Sequence, residues 1–394
     1  MLMNKNYHLV EVTNKKLVRA FLEMPVPLYK NDKNWIRPLD DDIEKIFTPE
    51  RNKLFRKGEA IRWVLYNDQN KSVGRIAAFY TKDEQGKNEQ PTGGIGFFDC
   101  INDQEAADTM FDAAKEWLKN KGMEAIDGPI NFGSREMFWG CLYDGFYEPN
   151  YNMFYNYKYY NDLFESYGFK NYFDQYTFHM DLIPDSMKPV IYERGNEIRK
   201  NNDFVFETID KKNLDKYQDD FVTIFNETWA RFPGVKPLTK QQAVKMFDKM
   251  KIILDQRVMI FAYYKERPVG FFIMIPDLYQ VTKHFNGKFH LINKLRLVFN
   301  LRIRKVSKKV IGLIFGVVPD FQSQGVADGM ILTFEDEVRK PNFKYTDLEM
   351  NWIGDFNPKM IKLIEYIGGK VYKTHITYRY LFDRNKEFKR ADTV

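Results

Sequence analysis

The chain repeats itself. LFESYGFKNYFDQYTF (163–178) and LIEYIGGKVYKTHITYRY (363–380) share one plan: a helix tail, a glycine stop and an aromatic strand. The elements around them recur in the same order. In the first half, strand patterns at 7–12, 60–67, 72–80, 93–100, 123–130 and 171–182 alternate with helices at 104–122 and 158–169. Ala107, Met110, Ala114, Trp117 and Leu118 recur at the helical period. DQNK supplies turn residues between the second and third strands, which therefore read as a hairpin. The second half runs through FVFETID, two amphipathic helices, the hairpin RVMIFAYYK–RPVGFFIMIP, and then strand 311–319. A helix from Gly325 to Arg339, strand 345–353, helix 357–369 and strand 370–382 follow. A repeat of this length is one fold used twice. The expected class is mixed α/β (α+β in detail), with lobes at 1–185 and 203–394 joined by 183–202. Each lobe should be a mixed sheet flanked by helices.

The 394 residues suffice for two domains, and 44% hydrophobic with 29% charged residues is ordinary for a globular protein. Two cysteines, Cys100 and Cys141, are too few for a disulfide framework or a thiolate metal site. The five histidines are scattered, so no metal site is expected. The segment MLMNKNYHLVEV has no apolar core of signal-peptide length. The apolar runs at 271–275 and 310–318 fall short of the roughly 20 residues that span a bilayer. These features together lead us to expect a cytoplasmic protein.

The net charge of +6 is local. Residues 281–310 hold nine Lys or Arg and no Asp or Glu, leaving +6 − 9 = −3 for the rest. Leu291, Leu295 and Val298, or Ile292, Leu295, Phe299 and Ile303, would line one helical face of this insert. The ordinary expectation is an insertion packed on the other lobe with its charges solvated. An acidic partner, a carrier protein, a membrane surface or RNA are the sharper alternatives.

VVPDFQSQGVADGM (317–330) leads from an apolar strand through a glycine turn into a helix. A helix N-terminus leaves backbone N–H groups unpaired, and its dipole favours an anion there. Gly325 and Ala327 keep side chains away from such a ligand. The turn has no cation of its own; Ser323 and Gln324 flank the glycine. In the first half the corresponding turn, CINDQEAADTM, lacks glycine and adds Asp103, Glu105 and Asp108, which would repel a phosphate.

Gln322, Gly325 and Ala327, with Val317 and Pro319 upstream, resemble the Gln/Arg-x-x-Gly-x-Gly/Ala motif of the GNAT (Gcn5-related N-acetyltransferase) superfamily. The tandem arrangement is similar to that of large bacterial tandem-GNAT proteins whose substrates are undefined. The resemblance implies acetyl-CoA or another acyl-CoA as co-substrate of the second lobe. The backbone of Phe315, Gly316 and Val317 would pair with pantetheine. Gln322, Ser323, Gln324, Gly325, Val326, Ala327 and Asp328 would hold the pyrophosphate. It also implies direct acyl transfer to an amine, either a small molecule or a peptide. Glu349 would be the general base, with Asp355 a weaker candidate. Asn357 would bond pantetheine or cap the last helix. The family tyrosine acid, seven residues beyond that asparagine, is Ile364 here. Tyr366 lies about 200° further round the helix and cannot simply replace it. Two alternatives stay open: tRNA-dependent aminoacyl transfer, which the basic insert favours, and a non-catalytic acyl-CoA-binding protein, which Ile364 favours. The aromatic loop 138–160 would be interface and core, or the roof of an acceptor site.

Overall fold

The computed structural model describes residues 6–82, 90–230 and 236–392. The first half contains β1 (Tyr7–Glu11), α1 (Lys15–Glu23), α2 (Pro25–Leu28), α3 (Asp40–Phe47), β2 (Gly58–Asn67) and β3 (Ser72–Thr81). It continues with β4 (Thr92–Cys100), α4 (Gln104–Asn120), β5 (Ala125–Gly128), β6 (Cys141–Asp144), α5 (Tyr159–Tyr167) and β7 (Lys170–Asp181). The second half opens with α6 (Pro189–Lys200), β8 (Phe204–Thr208), α7 (Leu214–Thr228), α8 (Lys240–Met250), β9 (Met259–Tyr264) and β10 (Arg267–Pro276). The insert provides α9 (Tyr279–Thr282) and α10 (Leu291–Arg302). Then come β11 (Lys309–Val317), α11 (Val326–Val338), β12 (Asp347–Gly354), α12 (Pro358–Tyr366) and β13 (Lys370–Leu381).

Local chemistry explains the boundaries. Asn67 turns the β2–β3 hairpin by accepting from the N–H groups of Gln69 and Lys71. Gly168 ends α5 in the left-handed region at φ 108°. Thr239 and Gln242 form a reciprocal capping box at the start of α8.

The strands join into a single sheet in the order β1-β2-β3-β4-β5-β13-β7-β12-β11-β10-β9-β8, with β6 pairing against β13. The last strand of each half has crossed over. β7, from the first half, lies between β13 and β12. β13, from the second half, lies between β7 and β5. Neither has a neighbour from its own half in that order. The halves are therefore interlocked through their backbones.

The sequence pattern did not reveal three features. The proline-punctuated stretch after β1 contains α1, α2 and α3. The linking segment 183–202 contains α6, which packs on α11. The aromatic loop contributes β6.

β13 also stabilises the first half by side-chain contacts. Tyr378 is fully buried, and its hydroxyl lies 2.9 Å from Asn161 and 3.0 Å from Glu165 of α5. Its ring stacks on Phe164. Tyr378→Ala should cost about 3–5 kcal/mol. Hydrogen exchange should show lost amide protection in α5, in the first half, before α12. The reverse order would show that β13 chiefly supports its own half.

Candidate active site

β11 and β12 run parallel only briefly. Their register pairs Lys309 with Asp347 through Gly312 with Met350, and then stops. Beyond it β11 keeps β10 on one edge, down to Val317 opposite Gly270. The other edge, from Leu313 onward, opens onto a cleft of about 1220 Å³. Its walls are largely apolar: Trp229, Leu313, Phe315, Trp352, Met360 and Ile364 are among them. Polar groups are few. They are Asn351 and Asn357, and Ser134, Arg135 and Glu136 contributed by the first half.

Gly316 sits behind the open edge. A Cβ there would lie 2.2 Å from Trp229, whose ring stacks on Phe271. A side chain at 316 would displace that ring, which lines the cleft.

At the far end of β11 the chain turns into α11. Ser323 and Gly325 both have positive φ, 66° and 86°. The side-chain amide of Gln322 donates to the Val317 carbonyl at 3.0 Å, and that of Gln324 to Asp320 at 2.7 Å. Both glutamines thus brace the turn. No side chain caps α11, whose N-cap is Gly325. The N–H groups of Val326 and Ala327 are left for a ligand, while that of Asp328 turns to its own carboxylate.

The first half answers differently at both places. The equivalent helix, α4, is capped by Asp103, which accepts from the Ala106 N–H at 3.1 Å. The equivalent gap beside β4 is filled by the chain itself. Ile130 donates to Ile95 at 2.7 Å, and a Cβ on Gly96 would meet the Ile130 carbonyl at 1.6 Å.

Sequence reasoning missed one group at the α11 turn. Arg194, on α6, acts electrostatically on Asp328, and its carbonyl lies 3.6 Å from where a Gly325 Cβ would be. It brings a cation to a turn that has none in sequence. The signal was present: Pro189 at a helix start, with Ile191, Gly195 and Ile198 buried along one face. Asp328 is itself buried, and burial pushes its carboxyl up against the pull of Arg194.

Glu349 does not line the cleft. It is 1% exposed and lies in the seam between the halves. Its carboxylate takes Lys309 at 2.5 Å, Lys373 at 2.7 Å and the Asn150 amide at 2.8 Å. Burial opposes its ionisation, but Lys373 and Lys309 overcome this and hold it below the usual carboxylate range. The same Asn150 amide donates to Asn351 at 2.7 Å, and Asn351 does reach the cleft. Asn357 also reaches it, while its side-chain oxygen caps α12 by accepting from Met360. Asp355 forms an ion pair with Arg390 and is absent from the cleft wall. Ile364 is buried in that wall; Tyr366 stands apart from it. His179, Asp181 and Asp347 gather at the start of β12 with ligand atoms within 4.8 Å of one another, outside the cleft.

The fold, with a parallel strand pair leading into a helix in each half, has counterparts among solved structures. A tandem GNAT protein from the clavulanic acid biosynthesis pathway superposes with a TM-score of 0.55 at 10% identity, covering 95% of this chain and 98% of that one. The chain has the tandem GNAT fold. No family model matches it. Two curated relatives are each 25% identical to this chain. Protein YghO of Escherichia coli K12 aligns over 93% of both chains. A protein named bacterial ceramide synthase, from Caulobacter vibrioides, aligns over 95% of this chain and 97% of its own.

The seam also carries Asp277, buried and accepting from the N–H groups of Tyr151 and Tyr279. Burial raises its carboxyl to about 6, with Lys309 pulling the other way. A raised carboxyl stabilises the fold while protonated. That contribution is present at acid pH and is lost as pH rises through about 6. Asp277→Asn keeps the acceptor oxygen and removes the charge. Relative to wild type it should gain on the order of 3 kcal/mol between pH 4 and 7. Urea melts across that range measure this, and a difference independent of pH would refute it.

Proposed function

We propose that the protein is an acyl-CoA-dependent N-acyltransferase that passes the acyl group directly to an amine. The reading is carried by one observation: the open edge of β11 ends at the uncapped start of α11. An extended pantetheine can pair along Phe315, Gly316 and Val317 as an added strand. The pyrophosphate then meets the N–H groups of Ser323 to Ala327, and Arg194 supplies positive charge. Asn357 spends its oxygen on α12 and offers its amide nitrogen to the pantetheine.

The relative named bacterial ceramide synthase supports a class of acceptor. Ceramide is a long-chain amino alcohol carrying an amide-linked fatty acyl group. The apolar cleft walls suit both chains. They also favour the neutral amine that must attack, since burial disfavours an ammonium ion. Glu136, the carboxylate among the described lining residues, takes the proton. The nitrogen lone pair forms the C–N bond, the C–S bond breaks and coenzyme A leaves as thiolate. Ile364 provides no acid, so departure is unassisted by the family tyrosine. Glu349, saturated by three donors, acts as a positioning residue that fixes Asn351 through Asn150.

Short- and long-chain acyl-CoAs should raise the melting temperature, and a long-chain amine should release free thiol. Gly325→Glu should abolish the shift. Ala327→Asp, lying within the helix, should do so without straining a positive-φ residue. Glu136→Gln should lower kcat about 10²-fold or more. No shift with any acyl-CoA would sink the reading.

A further inference from the structure

α10 has two apolar faces. Leu297 and Leu301 are buried against Leu39, Val281 and Phe285, which docks the insert on the first half. On the opposite side, Leu291, Ile292, Leu295, Phe299 and Ile303 are 71%, 59%, 63%, 52% and 69% exposed. At helical spacing these five fall within a stripe about 120° wide. Lys294 and Arg296 flank the stripe and Arg302 falls within it, while Lys288, Arg304, Lys305 and Lys308 lie on the adjoining segments; all seven are exposed. None of the seven forms an ion pair among the described residues; Lys288 and Lys294 share a hollow with Asp40 and Asp41 of α3, and the insert itself has no acid to neutralise the other five.

We propose that this face docks on an anionic phospholipid bilayer. An amphipathic helix with aliphatic and aromatic groups facing out and Lys and Arg at its flanks lies in the interface plane. Its side chains enter the acyl boundary while the cations meet phosphate headgroups. Two other occupants fit less well. An RNA backbone would use the cations but leave five large apolar side chains in contact with phosphate and water. A second copy on a two-fold axis would bring seven unpaired cations against seven. No helix among the described residues is long and apolar enough to cross a membrane, so attachment would be peripheral. This docking stands independently of the acyl-transfer reading.

The test is co-sedimentation of the full chain with vesicles of mixed phosphatidylglycerol and phosphatidylcholine, against vesicles of phosphatidylcholine alone. Wild type should bind the first far better, with the difference shrinking as salt rises. Leu295→Glu/Phe299→Glu should lower binding at least about tenfold, with an unchanged melting temperature because both residues face out. Arg302→Glu/Arg304→Glu/Lys305→Glu should remove the preference for anionic lipid. Failure of wild type to sediment with the anionic vesicles overturns the proposal. So does sedimentation unaffected by the Leu295 and Phe299 changes. Retention of poly(U) without vesicle binding would place RNA there instead. A dimer that the same double variant splits, again without vesicle binding, would place a second copy there.

Discussion

The pairing of β7 with β13 is the contact on which the rest of the molecule depends. It runs antiparallel from Lys370 opposite His179 to Arg379 opposite Lys170, and it lies at the centre of the sheet. Because each strand belongs to the other half's side, the two cores cannot separate without breaking backbone ladders. The seam is also polar. Gln175, Thr177, His375 and Thr377 are all buried. Thr377 donates to Gln175 at 3.1 Å, Trp139 donates to Thr377 at 3.1 Å, and the His375 ring meets the Phe154 carbonyl at 3.1 Å. A one-residue slip would turn these groups to the wrong face and leave each unsatisfied. The polar seam therefore reinforces the register that burial of the sheet already requires.

That seam also governs the charged cluster around Glu349. A carboxylate with two lysines in a dry interior is costly unless each member is held by its partners. Here the partners come from both halves: Asn150 from the first, and Lys309, Glu349 and Lys373 from the second. The cluster is intact only when the halves are joined. The cleft wall at Asn351 is thereby tied to the joint.

Much of the fold could be read in the chain because it is written twice. Gly168 and the glycines at 368 and 369 punctuate matching elements, and Gly325 marks a turn that needs positive φ. The contrast between the two turns was also legible: Asp103 in place of a glycine was expected to deter phosphate, and it caps α4 with the same carboxylate. The strand exchange was not legible. Alternation along β12 says that Glu349 and Asn351 share a face, but not that the loop at Asn150, from the other half, covers it. For the same reason the burial of Glu349 could not be foreseen. The stripe of Ile292, Leu295, Phe299 and Ile303 was visible as one helical face. Periodicity could not say whether that face or its opposite would be buried, because both are apolar.

The exchange of strands also sets an order in time. While the ribosome is still making the second half, β5 lacks its neighbour β13, and β7 lacks both β12 and β13. Some 370 − 128 = 242 residues separate the end of β5 from the start of its partner. At about 5–20 residues per second, the first half waits roughly 12–50 seconds with that edge open. That edge stays unpaired until the chain's last strand is added.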